Sequence, residues 1–170
     1  MFDSVTSLLM IKDEHMSIQA ENQQGMFRVS YYITQKIFGQ TKLGSATLRV
    51  DLIINGPDKT VNGIANVYQP TNPPVNVVSH LNGEWSYLSN VNENHVLVVV
   101  DGFDLSTIQF GGQPMEHKNL TLRMAISEDW QSGTASFNYL YEGEWYEVEY
   151  ATVALLEGED HINLDALSSF

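Results

Sequence analysis

Apolar and polar residues alternate along most of the chain, and this period of two limits its fold more than any other feature. In Met26–Thr34, for example, Phe27, Val29, Tyr31 and Ile33 share one side of the segment. A helical period of about 3.6 residues is nearly absent from the chain. Because successive side chains of a β strand point to opposite faces, the alternation predicts half-buried strands and an all-β fold.

Turn-forming residues interrupt the alternation and divide the chain into short predicted strands. These strands are Met26–Thr34, Ala46–Ile54, Val61–Gln69, Val75–Ser79, Glu84–Ser89, His95–Val100, Leu105–Phe110, Leu120–Ser127, Thr134–Tyr141 and Glu144–Leu155. Glycine, proline, asparagine and aspartate favour turns, so their clusters mark the connections. The predicted turns are Asn55–Asp58, Pro70–Pro74, Asn82-Gly83, Asn90–Asn94, Asp101-Gly102, Gly111–Pro114 and Glu142-Gly143.

The connections are too short for the crossover helices that parallel strands require, so the predicted sheet is antiparallel. A sheet of about 8–10 long strands either closes or folds over on itself. We therefore expect an antiparallel β-barrel, with a β-sandwich as the alternative. The length of 170 residues fits one domain spanning residues 1–170, in which residues 1–24 and 156–170 are less regular in pattern.

Two parts of the chain, residues 47–68 and 121–141, carry closely similar patterns. Each has an apolar-Arg-apolar start and a later Gly-x-Ala, at Gly63 and at Gly133. Each is also followed by Gly-Glu-Trp, which ends at Trp85 in the first case and at Trp145 in the second. We interpret the likeness as two related hairpins in a pseudo-symmetric sheet. The alternative is chance, because all amphipathic strands share a period of two.

The formal net charge is −13, and the charges are unevenly distributed. Residues 124–170 contain ten acids and no lysine or arginine, whereas residues 1–123 contain all eight basic residues. Such a field repels DNA, RNA and anionic lipid, so we expect no nucleic-acid partner. The interpretation that we favour is that the charge serves solubility alone, and the alternative is attraction of a basic protein partner or cations.

The longest apolar run, Val96–Val100, is far shorter than the ~18 residues that span a bilayer, so no membrane segment is expected. The first residues lack a basic region and a small-residue cleavage site, which argues against a signal peptide. These two observations together predict a cytoplasmic protein.

Residue patterns typical of catalysis or metal binding are weak throughout the sequence. There is no cysteine, and the histidines (His15, His80, His95, His117 and His161) never have the spacing that lets two reach one metal from a single element. Asp101–Asp104 and Glu157–Asp160 offer clustered carboxylates, which are better explained as simple turns than as calcium loops. We therefore expect no catalytic residues, no metal and no cofactor.

Glu147 and Glu149 lie two residues apart on a predicted strand, hence about 7 Å apart on one face. That distance overlaps the carboxylate spacing of inverting glycosidases. Any Glu-x-Glu strand produces it, however, and a solvated outer face explains the pair better. With Glu144, these residues are the predicted contact for a basic partner.

Aromatic residues are the most informative candidates for a binding site. The predicted ligand-binding set is Trp85, Tyr87, Phe137, Tyr139, Tyr146 and Tyr150. By strand parity, Phe137, Tyr139, Tyr146 and Tyr150 should meet across the Glu142-Gly143 turn on the inner side of the sheet. Buried tyrosines need partners for their hydroxyls, which favours a wet cavity for a small hydrophobic molecule. Ordinary core packing or cross-strand pairing is nevertheless the interpretation that we favour, and a ligand cavity or contact patch is the alternative.

The run from Thr47 to Tyr87, with ANVYQPTNPP (residues 65–74) and Gly83-Glu84-Trp85, resembles a bacterial family classed only as a domain of unknown function. Trp130 and the stretch 132–135 fit the same resemblance. The resemblance implies a small β domain of bacterial origin and supplies no activity.

The function that these observations favour is a non-catalytic binding or protein-interaction domain. The alternative is a small barrel enzyme, of the cyclase or isomerase type, that holds a hydrophobic substrate in a reactive shape. The sequence leaves the oligomeric state open.

Overall fold

A computed structural model describes residues 25–89, 91–106 and 115–156 of the chain, with the backbone alone at Leu105, Ser106 and Met115. The described residues form β strands joined by turns, and they contain no helix that could cross a membrane. The strands are β1 (Met26–Thr34), β2 (Lys36–Ile37), β3 (Gln40–Thr41), β4 (Thr47–Asn55), β5 (Thr60–Gln69), β6 (Val75–Ser89), β7 (Asn94–Ser106), β8 (Met115–Ser127), β9 (Ser132–Tyr141) and β10 (Glu144–Leu155).

Eight of these strands close into one antiparallel barrel, in the order β1-β10-β9-β8-β7-β6-β5-β4 and back to β1. The predicted all-β barrel is thus confirmed. The remaining two strands, β2 and β3, form a small exposed hairpin between β1 and β4 that the sequence did not predict. Strand parity decides which side chains are buried: in β4, Leu48, Val50 and Leu52 point inward, while Arg49 and Asp51 point outward.

Residues 1–24, 90, 107–114 and 157–170 lie outside the described part of the chain. The predicted irregular ends, the predicted turn at Gly111–Pro114, and most of the predicted strand Leu105–Phe110 therefore lie outside it. The same holds for Glu157–Asp160, His15 and His161.

Two predicted turns, Asn82-Gly83 and Asp101-Gly102, are wrong. Each dipeptide lies inside a long strand, so β6 and β7 each join two segments that the sequence pattern kept apart. Both glycines point into the barrel, where neighbouring strands approach closely. A Cβ added to Gly83 would lie 2.0 Å from the carbonyl oxygen of Val99, and one added to Gly102 would lie 2.7 Å from Cβ of Leu120. These glycines are needed for close packing rather than for a turn.

The two similar stretches are confirmed as hairpins with the same register. In β4–β5, Val50 pairs with Ala65 and Leu52 with Gly63. In β8–β9, Met124 pairs with Ala135 and Ile126 with Gly133. The likeness ends at the two tryptophans that follow, because Trp85 is buried inside the barrel and Trp145 lies on its outer surface.

The close approach of β6 and β7 at Gly83 leads to a testable prediction about the stability of the protein. We expect Gly83→Ala to lower the free energy of unfolding by about 2–3 kcal/mol, since the added methyl group overlaps backbone atoms of β7. The matched control is Gly143→Asn at the β9–β10 turn, where nothing lies within 4 Å of an added Cβ and φ is +80°. Asparagine tolerates this conformation, so the control should change stability by less than about 0.5 kcal/mol. Urea denaturation of both variants measures this, and equal midpoints would contradict the packing role of Gly83.

Candidate functional site

One end of the barrel is closed by two tryptophans. Trp85 of β6 is 2 % exposed, and Trp130 from the β8–β9 turn is 1 % exposed. Their rings meet edge to face with centroids 5.4 Å apart, and the edge of Tyr87 packs against Trp85 at 5.1 Å. Edge-to-face contacts of this kind add to the stability that ring burial provides. This cluster forms the base of the barrel.

Polar groups at the base are paired with buried backbone atoms. The Tyr31 hydroxyl donates to the carbonyl oxygen of Trp130 at 2.7 Å, and Nε1 of Trp85 donates to the carbonyl oxygen of Asn55 at 2.9 Å. Burial, and to a lesser degree the charge of Asp129, raises the pKa of Tyr31 far above its usual range. Tyr31 is therefore a structural hydroxyl and remains neutral.

Lys59, in the β4–β5 turn, covers the base from outside. Its Nζ lies 4.0 Å from the centroid of the Trp85 ring and 4.7 Å from that of Tyr87. Partial burial lowers the pKa of Lys59, because desolvation disfavours its charged form. The lysine is held by cation–π attraction to two rings that already pack together.

The second group of rings runs along β9 toward the opposite end. Phe137 is 1 % exposed, and Tyr139 packs beside it with centroids 6.2 Å apart. Tyr139 stacks on Tyr146 of β10 at 5.4 Å and 19°, and its hydroxyl bonds to Oε1 of Gln69 at 3.3 Å. Burial and the neighbouring Tyr146 raise the pKa of Tyr139. The stack therefore lies at the rim of the barrel, where Tyr146 is partly exposed.

Tyr150 does not join these rings, so its predicted inward orientation is wrong. Val148 pairs with Phe137 and Ala151 with Ala135, which leaves Glu149 and Tyr150 opposite the single residue Ser136. This bulge shifts the parity of β10 by one residue. Tyr150 adopts a left-handed backbone conformation (φ 55°) and projects outward, 84 % exposed.

The six aromatic residues predicted to bind a ligand therefore occupy three places: the base, the rim and the outer surface. Between base and rim, the inward-facing side chains are almost fully buried. These side chains form one packed hydrophobic cluster. The described residues thus do not form one aromatic cavity, and the ligand-binding role of these rings stays a prediction.

The predicted acidic residues all lie on β10 and are exposed. Glu147 and Glu149 point outward, whereas Glu144 lies beside Tyr146 at the rim and accepts a hydrogen bond from its hydroxyl at 3.3 Å. The negative charge of Glu144 is the main cause that raises the pKa of Tyr146. Glu147 and Glu149 form no side-chain hydrogen bond or ion pair with the described residues.

Glu147 and Glu149 line an open groove of about 650 Å³ on the outer surface of β7–β10. Lys118 and Asp101 lie in the same groove and form an ion pair at 2.9 Å. Asp101–Asp104 lies within β7, so the predicted turn at these residues is wrong. Arg123 also lines the groove, so the surface carries both signs of charge. Glu147 and Glu149 form no ion pair with any residue that the structure describes.

Ser79 and Asn119 form a buried polar pair that was not predicted from the sequence. The Ser79 hydroxyl donates to Oδ1 of Asn119 at 2.6 Å, and Nδ2 of Asn119 donates to the carbonyl oxygen of Val78 at 3.1 Å. The pair lies at the irregularity between Gly102 and Phe103, where β8 contributes an extra residue. Its polar atoms satisfy one another, so the pair stabilises the bulge rather than forming a reactive site.

Within the described ranges, no group of three or more histidine, aspartate or glutamate side chains is placed to hold a metal ion. His95, near the start of β7, approaches Glu93 at 3.5 Å, apart from the other histidines that the structure describes.

A family model described as "Domain of unknown function (DUF1842)" matches residues 24–145. The chain belongs to this family. The DUF1842 match covers β1 to β9 and ends at the second residue of β10, so Glu147, Glu149 and Tyr150 lie beyond it. No curated protein matches the chain.

The buried Tyr31 hydroxyl at the base of the barrel predicts how the free energy of unfolding depends on pH. The native pKa of Tyr31 lies above the value of about 10 that it has when unfolded, so its contribution to stability is present below pH 10 and is lost as the pH rises further. Between pH 9 and 11 we expect the wild type to lose about 1.4 kcal/mol more stability than Tyr31→Phe, which has no hydroxyl to ionise.

Urea denaturation of wild type and Tyr31→Phe at both pH values provides this measurement. Tyr31→Phe should itself cost about 1–2 kcal/mol at neutral pH, because the Trp130 carbonyl loses its donor. The same loss of stability with pH in both proteins would contradict the assignment to Tyr31.

Proposed function

We propose that this chain is a non-catalytic interaction domain that binds a basic protein partner through the acidic side of β10. The observation that carries the proposal is the filled interior: the inward side chains between base and rim are buried against one another. Binding is therefore assigned to the outer surface. There, Glu147 and Glu149 have no partner among the described residues.

The distribution of charge along the sequence supports the same surface. Residues 124–170 contain no lysine or arginine, so neighbouring residues in the chain provide no cations for these carboxylates. A field of one sign speeds the encounter with an oppositely charged partner and selects against anionic ones. Trp145 and Tyr150 lie exposed on the same strand and offer aromatic surface next to the acids.

The enzyme alternative draws no support from the described residues. The predicted rings are divided among three places and do not enclose a substrate-sized space. The buried hydroxyls of Tyr31 and Ser79 are bonded within the protein.

Neutralising the acids of β10 tests the proposal. We expect the triple variant Glu144→Gln, Glu147→Gln, Glu149→Gln to bind fluorescently labelled decalysine about tenfold more weakly than the wild type, since each exposed ion pair contributes up to about 1 kcal/mol. Wild-type affinity should fall steeply as salt rises from about 0.05 to 0.5 M, because screening shortens the range of the field. Fluorescence anisotropy measures both effects.

The matched control neutralises three exposed acids elsewhere: Glu84→Gln, Glu116→Gln, Glu128→Gln. It changes the net charge by the same amount, so it should weaken binding by no more than about threefold. Equal losses in both triples would show that net charge alone governs binding, and the proposal would then fail. Binding that is indifferent to salt would argue for an apolar site instead.

A further inference from the structure

The barrel closes through an unusually short seam. β10 pairs with β1 only from Thr152 to Leu155, opposite Tyr31–Thr34. On its other side, by contrast, β10 pairs with β9 from Glu144 to Ala154. The part of β10 from Glu144 to Ala151 therefore extends past the end of β1. The hairpin that follows β1 pairs only with itself, so no described strand occupies this edge.

At a comparable gap elsewhere in the barrel, one backbone carbonyl is hydrogen-bonded by a side chain. Pairing of β6 with β7 ends at His80 and Phe103, and beyond it the side chain of Asn119 donates to the Val78 carbonyl. No described side chain is hydrogen-bonded in this way along Glu144–Ala151 on the seam side. The free edge of β10 thus presents backbone donors and acceptors, which are a template for a further strand.

We propose that the partner adds an extended, basic segment as a strand along the free edge of β10, at Glu144–Val148. This inference rests on the proposed function and specifies how the partner binds. The bulge at Glu149–Tyr150 ends the regular edge, so about five residues of β10 take part.

The side chains of this edge explain the choice of partner. Each face of Glu144–Val148 carries one carboxylate and one aromatic ring: Trp145 and Glu147 on the outer face, Glu144 and Tyr146 toward the rim. Lysine or arginine on an added strand would lie opposite a carboxylate and beside a ring. Backbone bonds then provide affinity, and the charges select the segment.

The competing explanation is that acids and a bulge protect the edge from any pairing. Charged residues and bulges are common guards of exposed edges. The two explanations differ in whether an extended basic peptide bonds to the backbone of β10.

The probes are the peptide acetyl-TKTKTKT-amide and a depsipeptide of the same sequence in which the three central backbone amides are esters. Both carry the same charge, but the depsipeptide lacks the central N–H donors. With the full chain, we expect the amide peptide to bind about tenfold more tightly, since up to two of the three N–H groups point toward β10 and each lost interstrand bond weakens binding severalfold. Amide hydrogen exchange followed by NMR should slow at Glu144–Val148 when the amide peptide is added.

The outcomes separate this inference from the proposed function. If both probes bind equally well, and the triple variant of Glu144, Glu147 and Glu149 binds both more weakly, strand addition is overturned. Recognition through the acidic residues is then retained. Preference for the amide probe without any effect of the triple would retain strand addition and overturn acidic recognition. If every amide of Glu144–Val148 already exchanges slowly in the free protein, the edge is occupied by this chain or a second copy, and the inference fails.

Discussion

Closure of the sheet forces the inward side chains of eight strands into one narrow space, and the rest of the structure follows from that constraint. A barrel of this size has room only for side chains that alternate between large and small. Inward glycines such as Gly63 and Gly83 let neighbouring strands approach, while Trp85 and Phe137 fill the space that remains. Groups that need water or a partner are thereby displaced to the two ends or to the outer surface, except for the buried pair Ser79 and Asn119, which bond to each other.

Charged side chains without an oppositely charged partner therefore lie on the outer surface. Cations near the base and on β4 are already engaged, as Lys59 is by two rings and Arg49 by Asp51. Glu147 and Glu149 form no ion pair with the described residues, although Lys118 and Arg123 line the same groove.

The positions of most strands, and the side chains that face the barrel interior, were predictable from the sequence. The reason is that burial on one side of a strand imposes a period of two. The predicted limits of Met26–Thr34 and Glu144–Leu155 agree with β1 and β10. Gly83 and Gly102 misled the prediction, since a glycine satisfies a tight turn and a close strand approach equally well. Which of these applies depends on the opposite strand, and a linear pattern does not contain that information.

The candidate site was only partly predictable for a similar reason. Glu144, Glu147 and Glu149 were predicted as exposed acids, and the structure places them so. Tyr150 was placed on the wrong face because a bulge inserts one residue without a compositional signal. The free edge beside these acids depends on where β1 ends relative to β10, which is a matter of register between segments far apart in the chain.

That short seam also joins the two strands of the barrel that lie farthest apart in the sequence. β1 emerges first and pairs early with β4, but its other edge waits for Thr152–Leu155. Strands β4 to β9 assemble in the meantime by joining sequence neighbours, whose loops are short to close. Until the last strand arrives, the nascent sheet is open and exposes an apolar concave face. Addition of β10 therefore closes the sheet over this apolar face.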